Sequence, residues 1–457
     1  MSDNTFKKKD VKRVNFSRPN DGVGVYLDYA GATPMDPEVK HAMEPYFEDK
    51  FGNPAALYRD GRLAKDAIDE SRKTIARILN CRESEIIFTA GSTEADNIAL
   101  FGVAEAVAGN RAWGIGNGNG HLIISAIEHH VVLNSAEALK RKGFEVSLAP
   151  VDAEGIVNLD ELKKLIRSDT FLVSVMYANN EIGTIQPLYE IGKIIKQVRE
   201  ARKASGNNLP IYFHSDGAQA VGACDLDTQK PGLDLFVISG SKIYGPKAIG
   251  ALYIRRGTPV RPMFFGGGQE NNLRSGTENV PAIVGLAKAL ELAEAKRNPP
   301  TGGENTRLIK LRDYFIKRLV TEIPKTILNG HATRRLPNNV NVSILDIEGE
   351  AAVLYLDAHS ISISTGSACT SLTLDPSHVI LALGRPYEHA HSSLRFSLGR
   401  KTTKEDIDYV MEVLPQVIAR LRQISPLNMK VDQKEISHPE AFAGQGARVK
   451  VGGQKYK

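Results

Sequence analysis

The sequence predicts an α/β protein with a mostly parallel sheet, followed by a smaller α+β unit. Short apolar segments of strand length alternate with helical segments from residue 85 to residue 239, a pattern typical of a parallel sheet with helices on both faces. Gly61–Leu79 is one such helical segment, because its apolar residues recur on one face. The predicted strands of this region are Glu85–Thr89, Leu122–Ala126, Glu145–Leu148, Leu172–Met176, Ile211–His214 and Leu235–Ser239.

A break in this alternation divides the chain. Lys296–Asn305 is rich in proline, glycine and asparagine, so it predicts a joint between domains. We expect a large domain at 36–295, a small C-terminal domain at 296–430, and an N-terminal segment, 1–35, that packs with the small domain. Residues 431–457 are predicted to form a mobile tail. The glycine-rich stretch Gly109–Gly120 is predicted to be a surface insertion.

Composition and charge exclude several classes of protein. The formal net charge is +5 over 457 residues, which is too mild to indicate nucleic acid or a membrane surface as the main partner. No apolar run approaches the roughly 20 residues that span a bilayer, and the polar N-terminus lacks the apolar core of a secretion signal. The three cysteines, Cys81, Cys224 and Cys369, fit neither a disulfide framework nor an intrinsic metal site. These features predict a cytoplasmic protein.

A lysine follows the last strand of the series. Leu233–Ile238 is apolar except at Asp234, as expected of a strand covered on both faces, and Lys242 follows in a glycine-flanked turn. This is the edge where open α/β sheets bind ligands, and a lysine with a lowered pKa can form an imine with an aldehyde there. The alternative is an ordinary surface lysine.

Polar residues follow four other strands. Gly91–Glu94 joins a strand to a helix and predicts a phosphate site, with an ordinary Ser/Thr N-cap as the alternative. Asp216 ends a strand and can pair with a protonated ring nitrogen, or cap a helix, while Gln219 can donate to a ring oxygen. His129 can stack on a ring or transfer protons, or be structural, and the stretch Asn179–Thr184, which includes Asn180, supplies amides. Together with Lys242 these are the parts that a pyridoxal phosphate enzyme needs.

The C-terminal part adds a cysteine and an arginine. Cys369 lies among small residues after a strand, and access of this kind is what a reactive thiolate needs. Cys81 and Cys224 are expected to be structural. Arg395 lies in His391–Ser397, which alternates like a strand, and its guanidinium can clamp a carboxylate. The alternative for Arg395 is an exposed residue on an edge strand.

Several motifs in this order resemble the cysteine desulfurases, which are fold-type I, class-V pyridoxal phosphate enzymes. The similarity runs from about Val25 to Leu427, and the cysteine loop is similar to that of the iron–sulfur and tRNA-thiolation branch. The resemblance implies a large domain with a mostly parallel seven-stranded sheet and a smaller α+β C-terminal domain. The motifs are Tyr26-Leu27-Asp28-Tyr29-Ala30, Phe51-Gly52-Asn53-Pro54, Asn179-Asn180-Glu181-Ile182-Gly183, Ser239-Gly240-Ser241-Lys242, Arg274-Ser275-Gly276-Thr277, Gly366-Ser367-Ala368-Cys369-Thr370-Ser371 and Arg395-Phe396-Ser397-Leu398-Gly399-Arg400.

The resemblance also implies a role for each candidate residue. Lys242 holds pyridoxal 5′-phosphate and moves the α-proton, Cys369 attacks the sulfur of the bound L-cysteine, and His129 completes the catalytic set. Asp216 pairs with the ring nitrogen, His129 stacks on the ring, Gln219 and Asn180 bond near the ring oxygen, and Asn180 and Arg395 bind the substrate. The phosphate is held by Ser92, Thr93, Ser239, Ser241 and, from a neighbouring subunit, Thr277. A homodimer is therefore implied.

The implied products are L-alanine and a persulfide on Cys369, which passes to a sulfur acceptor such as an iron–sulfur scaffold or a tRNA-thiolation protein. No direct contact with nucleic acid or membrane is expected, and Cys369 is left open as a transient iron–sulfur ligand. The alternatives are a selenocysteine lyase, a class-V aminotransferase or an inactive partner-docking scaffold. The sequence departs from the family at Ser241, where His is usual, at Gly31, where Ala or Thr is commoner, and at Ser92, where Gly or Ala is commoner.

Overall fold

The computed structural model describes residues 24–109, 120–297, 299, 302–365 and 376–425. Cys369, the tail at 431–457 and most of the insertion at 109–120 lie outside the described residues. The helices are α1 Pro37–Met43, α2 Arg59–Leu79, α3 Ser92–Ala108, α4 His130–Arg141, α5 Leu159–Leu165, α6 Leu188–Ser205, α7 Val280–Arg297, α8 Glu304–Glu322, α9 Gly349–Asp357, α10 His378–Ala382, α11 Tyr387–His391 and α12 Lys404–Ile424. The strands are β1 Val25–Tyr26, β2 Ile86–Thr89, β3 His121–Ser125, β4 Glu145–Ala149, β5 Thr170–Ser174, β6 Tyr212–Asp216, β7 Leu235–Ser239, β8 Gly250–Ile254, β9 Thr326–Leu328, β10 Asn339–Ile344, β11 Ile361–Ser362, β12 Ser364–Thr365 and β13 Ser393–Ser397.

Seven strands form the central sheet, in the order β2-β8-β7-β6-β5-β3-β4. Only β8 runs against its neighbours in this sheet, and the other pairs are parallel. The predicted α/β class with a mostly parallel seven-stranded sheet is therefore confirmed. β8 is absent from the strands predicted from the sequence. It follows β7 without an intervening α-helix, so the strand–helix alternation that located the other strands does not apply to it.

The central sheet is covered on both faces by helices. Within β7, Phe236 and Ile238 pack into one apolar cluster, while Leu235 and Val237 pack into another on the opposite face. The first cluster includes residues of α1, α2, α6 and α7, and the second includes residues of α3 and α4. Side chains alternate across a strand, so a strand covered on both faces has the continuous apolar run seen at Leu235–Ile238.

A second, antiparallel sheet has the order β12-β13-β10-β9. Its apolar residues pack with those of α8, α9 and α12 in a separate cluster. Val25 and Leu27, from the start of the described chain, belong to the same cluster, and β1 pairs with β11. The domain boundaries at 35/36, 295/296 and 430/431 stay predictions.

Candidate functional site

The carboxyl ends of the parallel strands lie along one edge of the central sheet. Ser174 of β5 pairs with His214 of β6, and Asp216 of β6 pairs with Val237 of β7. β8 runs the opposite way, so its first residue, Gly250, pairs with the last residues of β7 and β2. The polar segments that follow these strands are therefore gathered at the edge where open α/β sheets bind ligands.

Lys242 ends a single 3₁₀ turn, Gly240–Lys242, that follows β7 directly. Its Nζ donates to the carbonyl oxygen of Gly31 at 2.6 Å. The turn approaches the chain closely, because a Cβ on Gly240 would lie 2.7 Å from the carbonyl oxygen of Pro246. Thr33 holds the same turn, since its amide and hydroxyl both donate to the carbonyl of Ser241, at 3.1 and 3.0 Å. The N-terminal segment thus fixes the lysine turn from outside the sheet.

Asp216 is the last residue of β6 and is buried. One carboxylate oxygen accepts a hydrogen bond from the amide of Ala218 at 2.8 Å. No helix begins there in the described chain, so the helix-cap alternative is wrong. Burial raises the pKa of Asp216, and the nearby His129 and Lys242 act in the opposite direction. A buried carboxyl of this kind favours a positively charged partner.

Gln219 follows Asp216 closely in the chain, and His129 is near enough to Asp216 to act on its pKa. The side-chain amide of Gln219 donates to the carbonyl of Ala30 at 3.0 Å. His129 is the N-cap of α4, and its Nδ1 accepts from the amide of Val131 at 3.2 Å. Burial lowers the pKa of His129, which favours the neutral imidazole with its proton on Nε2. His129 therefore has a structural role as a cap in addition to any role towards a ligand.

The N-terminus of α3 lies at the same edge. The N-cap of this 17-residue helix is Gly91, at φ +141°, which has no side chain to accept the first free amides. The alternative that Ser92 or Thr93 is an ordinary N-cap is therefore wrong. Ser92 is half-buried and Thr93 is exposed. Uncapped amides at a helix N-terminus attract anions.

Two serine hydroxyls lie two strands away from Gly91. Ser239 Oγ and Ser241 Oγ are 3.2 Å apart, at the end of β7 and in the lysine turn. Between them and α3 lies Gly250, where a Cβ would be 2.9 Å from the carbonyl carbon of Gly91. A glycine at 250 thus lets α3 begin directly against β8.

Arg395 belongs to β13, which lies between β12 and β10, and it is buried. The alternative of an exposed edge-strand arginine is therefore wrong. Its Nη1 donates to the carbonyl oxygen of Asn180 at 3.2 Å, and its Nη2 donates to the carboxylate of Asp28 at 2.8 Å. Asn180 thus contacts Arg395 through its backbone. The sequence reasoning placed Asp28 in a motif but assigned it no role.

Two predicted residues remain, Thr277 and Cys369. Thr277 is exposed on the stretch before α7, and Cys369 lies outside the described residues. Of the other two cysteines, Cys81 is half-buried and Cys224 is buried, and burial raises the pKa of each thiol to about 12. Such thiols are protonated near neutral pH and are poor nucleophiles.

Sequence reasoning missed a group of buried ionisable residues beneath the site. Asp96 on α3 approaches Nε2 of His214 at 3.3 Å, and both side chains are fully buried. The other ring nitrogen of His214 lies 2.8 Å from the hydroxyl of Ser174. Burial raises the pKa of Asp96 and lowers that of His214 to about 3. His214 directly precedes the predicted Ser215-Asp216 strand end, but nothing in the local sequence indicated Asp96 as its partner.

Glu128 is the second acid of this buried group. Its Oε1 accepts from the hydroxyl of Ser125 and the amide of Met176, both at 2.7 Å. Its Oε2 has no hydrogen-bond partner among the described residues. Burial raises the pKa of Glu128 to about 8, so the carboxyl is largely protonated in the folded protein at neutral pH.

Glu128→Gln is expected to stabilise the protein increasingly as the pH rises. The folded pKa lies above the unfolded value, so the stability associated with Glu128 is complete below about pH 4.5 and is lost as the pH rises through about 8. Glutamine removes that loss, which is on the order of 2–4 kcal/mol at neutral pH. Denaturant unfolding between about pH 5 and pH 8.5 measures the difference. Glu137→Gln, at an exposed site on α4, is the control, and a difference that shrinks with rising pH would contradict the expectation.

The described residues contain neither a candidate metal site nor a candidate membrane span. No three His, Cys, Asp or Glu side chains are gathered there as a metal site would need. No helix in the described part of the chain combines the length and apolar character that crossing a bilayer requires.

Comparison with known proteins gives consistent matches along most of the chain. The family model described as aminotransferase class-V matches residues 25–410. A cysteine desulfurase IscS of Methanosarcina thermophila is 50% identical over 406 residues, covering 89% of this chain and 95% of that protein. A cysteine desulfurase IscS of Dictyoglomus turgidum is 46% identical over 412 residues, covering 90% of this chain and 99% of that protein. A solved structure of a NifS-like protein superposes with a TM-score of 0.77 at 34% identity, covering 87% of this chain and all of that one.

Proposed function

We propose that this protein takes sulfur from L-cysteine and passes it to an acceptor. The premise is its family: the chain belongs to the class-V aminotransferase family and, within it, to the cysteine desulfurases. The observation that carries the proposal is the placement of Asp216 at the end of β6 and of Lys242 directly after the adjacent parallel strand β7, with His129 close to Asp216. L-Alanine is the other product. Cys369 holds the sulfur as a persulfide before it is transferred.

The described residues fit pyridoxal 5′-phosphate, the cofactor on which this family depends. Lys242 offers an amine to its aldehyde, and the buried acid Asp216 suits a protonated ring nitrogen. The uncapped N-terminus of α3 and the paired hydroxyls of Ser239 and Ser241 suit its phosphate. The remaining residues proposed to hold it are Ser92, Thr93, His129, Asn180, Gln219 and, from a second subunit, Thr277. When bound, the cofactor supplies an electron sink that labilises the bonds at the α-carbon of the substrate.

The chain's own residues supply binding and proton transfer around that centre. Arg395 binds the substrate carboxylate, since it is the buried arginine that contacts Asn180 at the site. Lys242 moves the proton of the substrate α-carbon, which requires a neutral amine for part of the cycle. Asp216 keeps a negative charge in a buried place, where its electrostatic effect is larger than in water.

Sulfur transfer itself needs a thiolate from the protein. The thiolate of Cys369 attacks the sulfur of the bound cysteine, so a sulfur–sulfur bond forms and the carbon–sulfur bond of the substrate breaks. Cysteine and one protein thiol thereby become alanine and one persulfide, without an external oxidant. The raised thiol pKa values of Cys81 and Cys224 support Cys369 in this role.

A homodimer is part of the proposal. Thr277 is exposed on this chain, and several large apolar side chains are exposed as well, with Phe51, Leu57 and Phe265 at 72%, 91% and 86%. Burial of such side chains against a second subunit would remove apolar surface from water. Sedimentation velocity of the purified protein tests this, and a monomer at micromolar concentration would contradict it.

The acceptor and the location of the protein are also proposed. An iron–sulfur scaffold or a tRNA-thiolation protein is the proposed acceptor, and the cytoplasm is the proposed compartment. We further propose that the tail at 431–457 helps to select the acceptor. Transfer of labelled persulfide to each candidate protein, by the full chain and by a chain that ends at residue 430, distinguishes these acceptors. Identical transfer by both chains would remove the tail from the proposal.

The experiment that tests the function is turnover of L-cysteine by the purified, cofactor-loaded protein in the presence of a thiol reductant. We expect alanine and sulfide in equal amounts. A keto acid without sulfide would instead identify an aminotransferase. Selenide from L-selenocysteine, without sulfide from L-cysteine, would identify a selenocysteine lyase. Protein that takes up no cofactor at all would favour the inactive scaffold.

Ser241→His is expected to tighten cofactor binding. The hydroxyl of Ser241 is short and uncharged, whereas an imidazolium adds a charge-assisted hydrogen bond to phosphate, worth roughly 1–2 kcal/mol or about 5- to 30-fold in affinity. Titration of the cofactor-free proteins by absorbance measures the two dissociation constants. Ser241→Ala serves as the matched control and should bind more weakly than the natural protein. Equal affinities for serine and histidine would contradict the role of Ser241 at the phosphate.

A further inference from the structure

The carboxylate of Asp28 is paired with Arg395, the residue proposed to bind the carboxylate of the substrate. Nη2 of Arg395 lies 2.8 Å from Asp28 Oδ1, and within the described residues this is the carboxylate that pairs with Arg395. The arginine side chain is 5% exposed, while that of Asp28 is 25% exposed. A buried guanidinium without a counter-ion is costly, so Asp28 supplies the negative charge when no substrate is present.

The guanidinium still has donors for a ligand. Nη1 donates to the backbone carbonyl of Asn180, and Nε is buried without a hydrogen-bond partner among the described residues. A carboxylate that binds Arg395 with two hydrogen bonds takes two neighbouring N–H groups of the fork. On the Nε–Nη2 side of the guanidinium, Nε is the unused donor and Nη2 is bonded to Asp28.

Gly31 permits this position of the Asp28 carboxylate. A Cβ on Gly31 would lie 2.3 Å from Asp28 Oδ2 and 2.9 Å from its Cγ. Real side chains do not approach so closely, so any larger residue at 31 would displace the carboxylate. The backbone around it is fixed, because the amide of Gly31 donates to the carbonyl of Asp28 at 3.0 Å and the amide of Ala30 donates to the hydroxyl of Ser397 at 2.8 Å. The glycine that departs from the commoner Ala or Thr is therefore linked to the arginine through Asp28.

We propose that Asp28, in the position that Gly31 leaves open, is an internal counter-ion that competes with the α-carboxylate of the substrate for Arg395. The proposal rests on the proposed function, because it concerns how the same site binds its amino acid. Two carboxylates on one guanidinium repel each other, and Asp28 is the one with access to water. Substrate binding is then an exchange of one carboxylate for another, which lowers affinity and eases release of alanine. Asp28 thus determines how tightly the site binds the carboxylate of its substrate.

The test compares Asp28→Asn, Gly31→Ala and the natural protein, all loaded with cofactor. Binding of L-alanine is followed by the change in cofactor absorbance, and L-alaninamide, which lacks the carboxylate, is the matched ligand. We expect Asp28→Asn to bind L-alanine about 3- to 30-fold more tightly, the range expected for removing one nearby like charge. The affinity for L-alaninamide should stay within about twofold. The KM for L-cysteine should fall in parallel with the L-alanine constant, while kcat falls or stays the same as product release slows.

Gly31→Ala provides an independent variant if Asp28→Asn does not fold, and it should shift L-alanine affinity in the same direction. Weaker L-alanine binding in either variant, with L-alaninamide unchanged, would overturn the competition and make Asp28 a support for Arg395. Equal shifts for both ligands would overturn it as well, because a general structural effect does not distinguish them. Failure of the natural protein to release sulfide from L-cysteine is a separate result that counts against the proposed function alone.

Discussion

Lys242→Ala is expected to abolish desulfuration of L-cysteine and to remove the visible absorbance of bound cofactor. The amine of Lys242 is held at the sheet edge by the carbonyl of Gly31, and alanine provides neither an amine for the cofactor aldehyde nor a base for the α-proton. Loss of the proton-transfer role alone lowers rates by about 10²- to 10⁴-fold, and loss of the covalent anchor adds to this. Sulfide release and the absorbance spectrum of the purified protein measure the two effects.

The control for this variant is Lys247→Ala, at an exposed lysine five residues further along the same loop. It should retain both the activity and the spectrum, which excludes a general effect of removing positive charge from the loop. Full sulfide release by Lys242→Ala would place the covalent anchor elsewhere, whereas the same losses in Lys247→Ala would show a general effect of removing charge from the loop.

Cys369→Ala is expected to lose sulfur transfer while it keeps the cofactor. The variant leaves Lys242, Asp216 and Arg395 intact, so the spectrum of the loaded protein and its response to L-cysteine should persist. Sulfide release should fall by more than about 10³-fold, as is found when an essential nucleophile is removed. Mass spectrometry of the natural protein after L-cysteine should show one additional sulfur on the peptide that contains Cys369.

Cys81→Ala is the control for the cysteine prediction. Burial raises the pKa of this thiol to about 12, so its removal should leave both the persulfide and the rate unchanged. Sulfide release at the natural rate by Cys369→Ala would show that another group accepts the sulfur. The lysine and cysteine variants together separate carbon chemistry from sulfur chemistry, because only the first should lose the cofactor.

Much of the fold was predictable because it depends on local sequence. The run Leu235–Ile238 is apolar because β7 is covered on both faces, and the strand ends at Ser239, as predicted. Asp36 caps α1 by accepting a hydrogen bond from the amide of Glu38, two residues further along the chain. Such features are determined by residues within a few positions of each other. β8 was missed because it follows β7 as an antiparallel strand without an intervening α-helix, so it lies outside the strand–helix alternation.

In the candidate site, too, some residues were predictable from local sequence and others were not. Lys242, Asp216, His129 and Asn180 were identified because each follows a strand, and all parallel strands end at one edge. The pairing of Asp28 with Arg395 joins residues that are 367 positions apart, and the pairing of Asp96 with His214 joins α3 to β6. No local pattern encodes such pairs, since the partner of a buried charge is determined by which surfaces the fold brings into contact.

The sequence by itself therefore determined the fold class, the family and the positions of the groups that follow the strands, because strand patterns and strand ends are local. Only the tertiary structure decided what surrounds those groups. It shows that Gly91 leaves the N-terminus of α3 uncapped, that Arg395 is buried, and that Asp28 is paired with Arg395. The physical reason is that burial and charge pairing arise between distant segments. The sequence gives the chemical type of each side chain, whereas its pKa and its bonding partners depend on the residues packed around it.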